Sequence, residues 1–85
     1  MSEDRQSIGG ELFLSLRTVA ETFHVEVLVL EQAYEHGLLG EGVQREAVIM
    51  LRAVQLDRVA TVVRLHVELG VDLETLEWVL GPPEA

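Results

Sequence analysis

The sequence predicts a mainly α fold: two short helices joined by a tight turn, a small β-hairpin, a long helix and a short C-terminal helix. Apolar residues recur at helical spacing over residues 16–39 and again over 53–69 and 73–80. Between these stretches, a Gly-rich segment at 37–42 precedes a run with β-branched residues. Because 85 residues support one modest core, all of these elements are expected in a single domain.

The domain is expected to cover residues 12–80. Residues 1–11 are mostly polar and acidic, so we expect a flexible tail and no signal peptide. Residues 11–16 alternate loosely and predict a short strand that leads into the first helix. At the other end, Gly81-Pro82-Pro83 stops the last helix and begins a second tail at 81–85.

The two short helices have the spacing of a helix-turn-helix. The first is expected at about 17–23 and the second at about 26–36, with His24 and Val25 at the turn. Gly37 ends the second helix, because glycine readily adopts a left-handed conformation. Apolar residues three or four positions apart define the second helix: Val27, Leu30, Tyr34 and Leu38.

The second half of the chain continues with a strand and two helices. Residues 46–51 predict a strand that pairs with residues near Leu39 in a wing-like hairpin. The helix at 53–69 has two apolar stripes, so it is expected to pack both against the helix-turn-helix and against the last helix or a second subunit. Asp72 is a good N-cap for the last helix, at 73–80.

Composition limits the classes of partner. Fifteen acidic residues against six basic ones give a formal charge of −9, which repels nucleic acids and suits a basic partner or simply solubility. The chain has no cysteine, so disulfides and thiolate metal sites are excluded. Its longest apolar run, at 47–51, is far too short to span a membrane, and a cytoplasmic protein is expected.

The residue pattern does not predict an enzyme, a metal site or a cofactor. His24, His36 and His66 do not have the spacing of zinc ligands. Two carboxylate pairs lie about one helical turn apart, but acid–base catalysis also needs a cleft that shifts a pKa, and so small a domain offers little cleft. We therefore interpret both pairs as solvated helix faces: Glu31 with Glu35, and Glu74 with Glu77.

Trp78, the single tryptophan, has two interpretations. The commoner role would be to seal the end of the core. The alternative is an exposed aromatic anchor surrounded by acidic residues, which is a typical feature of protein interfaces.

The order of elements, together with three short motifs, resembles the MerR superfamily over about residues 12–80. His24-Val25-Glu26 lies where that family has its Gly-Val-Ser turn, and Leu30 matches its leucine. Residues 35–39, Glu-His-Gly-Leu-Leu, are similar to the family's Glu-x-Gly-Leu-Leu ending. Residues 68–74, Glu-Leu-Gly-Val-Asp-Leu-Glu, are similar to its Glu-Leu-Gly-Phe-Ser-Leu-Glu junction.

The chain departs from the DNA-reading members of that superfamily at the positions that would contact DNA. Where they have Arg-Tyr-Tyr, this chain has Glu31, Gln32 and Ala33, and its wing segment carries Glu41 and Glu46. This acidic character resembles the CbpM/DafA-like chaperone-modulator branch, whose members bind the J-domain co-chaperones that stimulate DnaK.

The resemblance implies a chaperone modulator or assembly factor that binds a DnaJ- or CbpA-like co-chaperone and regulates its action with DnaK. DnaK itself is a second candidate partner. It implies no cofactor. The acidic residues and the tryptophan are the expected contact residues: Glu31, Gln32, Glu35, Glu74, Glu77 and Trp78. The alternatives are a MerR-like DNA-binding regulator or excisionase-type accessory protein, and a dimerising or ligand-sensing fragment related to MerR regulators.

Overall fold

The computed structural model describes residues 5–83, without the side chain of Gln6, and contains four strands and four α-helices. A 3-10 turn, Ala53–Gln55, precedes α3, and a π-helical segment, Arg64–Glu68, follows it. The strands and α-helices are β1 Arg5–Ile8, β2 Glu11–Ser15, α1 Leu16–Phe23, α2 Val27–Glu35, β3 Val43–Arg45, β4 Val48–Arg52, α3 Leu56–Val63 and α4 Leu73–Leu80.

The predicted mainly α fold class is wrong, because the four strands form one antiparallel sheet in the order β1-β2-β4-β3 and the fold is mixed α/β. Part of the expected N-terminal tail is strand β1, which pairs with β2. Gly9 and Gly10 form the turn between them with φ values of 58° and 86°, the left-handed conformation that two-residue hairpin turns require. The outer parts of the two expected tails, 1–4 and 84–85, lie outside the described residues.

The predicted wing hairpin exists, but its partner strand was wrongly predicted. β4 pairs with β3, with Val43 opposite Met50, instead of pairing with residues near Leu39. Leu39 is fully buried, and its carbonyl accepts a hydrogen bond from Gln55 Nε2 at 2.7 Å, so that segment belongs to the core. Residues 46–47, expected inside a strand, form the hairpin turn.

The helix-turn-helix lies within one residue of the predicted boundaries. Ser15 Oγ accepts a hydrogen bond from the Thr18 N–H at 3.2 Å and so caps α1. His24 ends α1 in the left-handed conformation, with φ 58°. At the end of α2, Gly37 has φ 75° and the Leu38 N–H donates to the Ala33 carbonyl at 3.0 Å.

The predicted long helix is a continuous helical stretch over 53–68 that includes α3. Its first apolar stripe supplies core residues such as Val59. The second stripe is divided, because Val62 is buried whereas Val54 and Leu69 are 71% and 65% exposed. Among the described residues, the stretch contacts both α1 and α4, as predicted, while the two ends of its second stripe stay exposed.

Helix α4 closes the domain against the same core. Leu73 and Leu76 are buried, and Asp72 Oδ1 accepts a hydrogen bond from the Thr75 N–H at 2.8 Å. The guanidinium of Arg58 donates to the carbonyls of Leu38 and Gly81, which lie just beyond the ends of α2 and α4. No helix in the described part of the chain has the length and apolar character needed to cross a membrane.

Candidate partner-binding surface

The outer face of α2 carries three of the predicted contact residues. Glu31, Gln32 and Glu35 are all exposed, whereas Leu30 and Ala33 on the opposite side of the helix are fully buried. Residues three or four positions apart share one face of a helix, so the two carboxylates flank the amide of Gln32. The structure therefore brings these three side chains together on the solvent side of the second helix of the helix-turn-helix.

Leu28 belongs to the same face and was missed by the sequence reasoning. It is 57% exposed and lies three and four positions before Glu31 and Gln32. The surrounding segment, Val-Leu-Val-Leu at 27–30, is apolar on every side of the helix, so periodicity alone does not separate an outward leucine from a core leucine. Its spacing from polar residues is more informative. Leu28 lies one helical turn before Glu31 and Gln32, and this spacing predicts that it shares their exposed face.

The outer face of α4 carries the other three predicted residues. Glu74, Glu77 and Trp78 are exposed, and Trp78 is 89% exposed. The core-sealing interpretation of Trp78 is therefore wrong. Leu76 supplies the buried contact, and a residue two positions later lies about 200° further around the helix.

A contact between His36 and Glu77 connects the two helices. His36 Nδ1 lies 2.5 Å from Glu77 Oε2, and the contact is an ion pair when the imidazole is protonated. It places the C-terminal end of α2 beside the middle of α4. The two groups of predicted contact residues therefore lie on neighbouring elements, although Glu77 already has a partner within the chain.

Positive charge is not concentrated at the positions where a DNA reader would need it. The exposed arginines Arg5, Arg17, Arg45 and Arg64 lie in four different elements, and none is on α2. The wing has one exposed arginine, Arg45 at the end of β3, and the exposed Glu46 follows it directly in the turn. This arrangement is unfavourable for a phosphate-binding surface formed by α2 and the wing.

An open groove lies beside the end of α2, next to the C-terminal prolines. Neither predicted carboxylate pair lines it. Two of its polar side chains bond the backbone: Gln55 Oε1 accepts from the Arg52 N–H at 2.7 Å, and the Tyr34 hydroxyl accepts from the Gly42 N–H at 3.2 Å. The residues that form it include Tyr34, Gly40, Arg52, Gln55, Arg58 and Pro83. Tyr34, Gln55 and Arg58 are thus engaged in hydrogen bonds within the chain.

The histidines do not form a metal site in the part of the chain that the structure describes. No group of three or more His, Cys, Asp or Glu residues at 5–83 is arranged to hold a metal ion. His66 Nδ1 lies 2.7 Å from the Val71 carbonyl, and His36 contacts Glu77. These two histidines make local contacts between neighbouring segments.

No protein-family model, curated protein or solved structure matches this chain. The resemblance to the chaperone-modulator branch of the MerR superfamily thus remains a prediction from the sequence motifs. A function for the chain is therefore inferred from those motifs and from the chemistry of the α2 and α4 surfaces.

Proposed function

We propose that this protein is a non-enzymatic, cytoplasmic chaperone modulator that binds a J-domain co-chaperone and regulates its action with DnaK. The observation that carries the proposal is the exposure of Glu31 and Glu35 on the second helix of a helix-turn-helix, where a DNA reader needs cations. The sequence resemblance supplies the identity of the partner, and the charge of the face supports it.

Charge complementarity gives the proposal its mechanism. Members of the resembled family bind J-domains, which present a basic helix that docks onto DnaK. An acidic α2 face can bind that basic helix and so compete with DnaK for it. Alternatively, it can hold both chaperones in one complex. Complementary charges mainly accelerate association and select the partner, so binding should depend strongly on ionic strength.

Helix α4 extends the proposed contact surface. Its outer side carries Glu74 and the exposed indole of Trp78, and Glu77 of the same helix contacts His36 at the end of α2. Tryptophan at the centre of an interface typically contributes more binding energy than other residue types. In this arrangement, the carboxylates orient a basic partner and Trp78 supplies apolar contact area.

The proposal is tested by measuring association of the whole protein with a purified J-domain co-chaperone from the same cell. We expect Glu31→Arg with Glu35→Arg to weaken binding by about tenfold or more, since charge pairs become repulsions. The matched control is Glu11→Arg with Glu21→Arg, which changes the net charge equally at exposed positions on β2 and α1. Raising the salt concentration should slow association of the unmodified protein.

Three outcomes would count against the proposal. Equal weakening by both double variants would mean that only the total charge matters. Unchanged affinity in the first variant would remove α2 from the interface. Absence of binding at low salt would reject the J-domain partner, and tight, steeply salt-dependent binding to duplex DNA would favour the regulator alternative.

A further inference from the structure

Leu28 is a large apolar side chain that lies exposed on an otherwise polar face of α2. It is 57% exposed, although the other leucine of α2, Leu30, is fully buried. On that same side the helix presents two carboxylates and one amide. A large apolar residue exposed between charged groups is a typical centre for a protein contact, because polar neighbours exclude water around it once a partner binds.

The spacing of the face fits a helical partner. Glu31 and Gln32 lie three and four positions after Leu28, and Glu35 lies four and three positions after them, so the four residues share one face and form a seam along two turns of α2. Seven residues of helix cover about 10 Å, which matches two turns of a second helix packed alongside. An extended peptide would bind instead to the edge of a sheet, where unpaired backbone groups are available.

We infer that this seam docks a basic amphipathic helix, with an apolar side chain of the partner on Leu28 and its lysines or arginines beside Glu31 and Glu35. The inference rests on the proposed function and adds the binding mode and the anchoring residue. Exposed ion pairs individually contribute little affinity, so the apolar contact is needed to hold the complex.

A second copy of the chain is a poorer occupant of the seam. In a two-fold symmetric dimer, the same patch meets itself. Glu31 and Glu35 would then face the same residues of the other copy, and like charges at an interface oppose association. No arginine on α2 offsets them.

The test is calorimetric titration with two synthetic peptides of about 18 residues and identical composition. In the first, leucines and lysines form an amphipathic helix; in the second, the same residues are rearranged so that the leucines do not share a face. We expect the whole protein to bind the amphipathic peptide at least about fivefold more tightly. Leu28→Ala should reduce that affinity at least about fivefold, which removes the preference.

The matched control is Val54→Ala, which shortens a more exposed apolar side chain in the 3-10 turn before α3 and should change affinity by less than about twofold. Alanine favours helices, so Leu28→Ala is not expected to unfold α2. Circular dichroism of the variant checks that the helix content is unchanged. Leu28→Gln keeps a long side chain but removes the apolar surface, and it should reduce the affinity as well.

Equal affinity for the two peptides would overturn the inference, as would an unchanged affinity in the Leu28 variants. The proposed function would still stand if the J-domain protein bound through Glu31 and Glu35. Conversely, failure of the J-domain protein to bind would reject the proposed function, while peptide selectivity dependent on Leu28 would retain the helix-docking surface. Concentration-dependent self-association that Leu28→Ala abolishes would assign the seam to a second copy.

Discussion

Gly42 lies against the backbone of the neighbouring strand, just before β3 begins. A Cβ atom at this position would be 2.6 Å from the Met50 carbonyl oxygen and 3.3 Å from side-chain atoms of Ile49 and Leu51. The obstructing atom belongs to the backbone of a paired strand, so it cannot rotate away as the end of a flexible side chain would. Gly42 is therefore required by the close approach of β3 to β4.

We predict that Gly42→Ala destabilises the protein by about 1–3 kcal/mol, as overpacking typically does. Urea unfolding followed by far-ultraviolet circular dichroism measures the change. Val43→Ala, at the next residue, is the comparison, because it creates no clash and should cost less. A Gly42→Ala protein as stable as the unmodified one would show that the hairpin can separate without cost.

Arg58 provides a second prediction at the scale of one residue. Its Nε donates to the Leu38 carbonyl at 2.9 Å, and its Nη2 donates to the Gly81 carbonyl. One guanidinium therefore hydrogen-bonds the backbone just beyond the ends of two helices. Arg58→Met keeps most of the apolar stem but removes both donors. We expect a loss of about 1–3 kcal/mol in the free energy of unfolding. Arg64→Met, at an exposed position, should have little effect, and equal losses in the two variants would contradict this role of Arg58.

At the scale of elements, the N-terminus of α4 should make stability depend on pH. Hydrogen bonds from the side chain and then the backbone N–H of Thr75 hold the pKa of Asp72 below its ordinary value. A carboxyl group whose pKa is lowered by folding stabilises the folded state above its unfolded pKa. That stabilisation is lost as the pH falls through the folded pKa, which here lies below the ordinary Asp value of about 3.9.

Asp72→Asn should therefore reduce the dependence of stability on pH in the acid range, because asparagine caps the helix without titrating. Urea unfolding of both proteins between about pH 5 and pH 2.5 measures the difference in slope. Asp57→Asn, in the first turn of α3, controls for removal of one carboxylate. Parallel pH profiles for the unmodified and Asp72→Asn proteins would exclude a contribution from this cap.

The helices were predictable from sequence, but the extent of the sheet was not. Helix α4 has the predicted boundaries, because Asp72 and Gly81 mark its ends with clear capping chemistry. Strand β1 was missed, because four mostly polar residues lack the apolar alternation that identifies a strand. The dipeptide Gly9-Gly10, a hairpin-turn signal ahead of a predicted strand, could have identified it.

The wing was harder to place for a different reason. Its turn uses Glu46 and Ala47 at φ values of 51° and 68°, although such turns usually contain asparagine or glycine. These two residues look like the start of a strand or helix in the sequence. Tertiary pairing of β3 with β4 overrides that local preference, and no local pattern reveals it.

The candidate surface was predictable where polarity and helical spacing agree. Glu31, Gln32 and Glu35 are polar residues opposite a buried apolar side, and they lie where that pattern places them. Trp78 was ambiguous, because an aromatic residue beside Val79 on a short helix can face either way. The apolar periodicity alone does not identify Leu28, since apolar neighbours surround it in sequence, but its spacing from Glu31 and Gln32 does.

At the scale of the whole molecule, a charge of −9 on 85 residues makes the folded state repel itself. Salt screens this repulsion, so we expect the thermal unfolding midpoint to rise between about 0.02 M and 0.5 M sodium chloride, over which the Debye length falls several-fold. Differential scanning calorimetry measures the midpoint. The same change in salt should slow association with a basic partner, so stability and association are expected to respond in opposite directions. A midpoint that falls with salt would contradict net self-repulsion.

The sheet order also separates the framework of the molecule from its contact surface. The chain leaves the sheet at Ser15, the last residue of β2, and returns in β3, an edge strand that β4 separates from β2. The helix-turn-helix is thus an insert between two strands of the same sheet, and the outer side of α2 is exposed rather than packed on that sheet. A set of scaffolds with different recognition chemistry could therefore be produced from this chain by exchanging positions 28, 31, 32 and 35 alone.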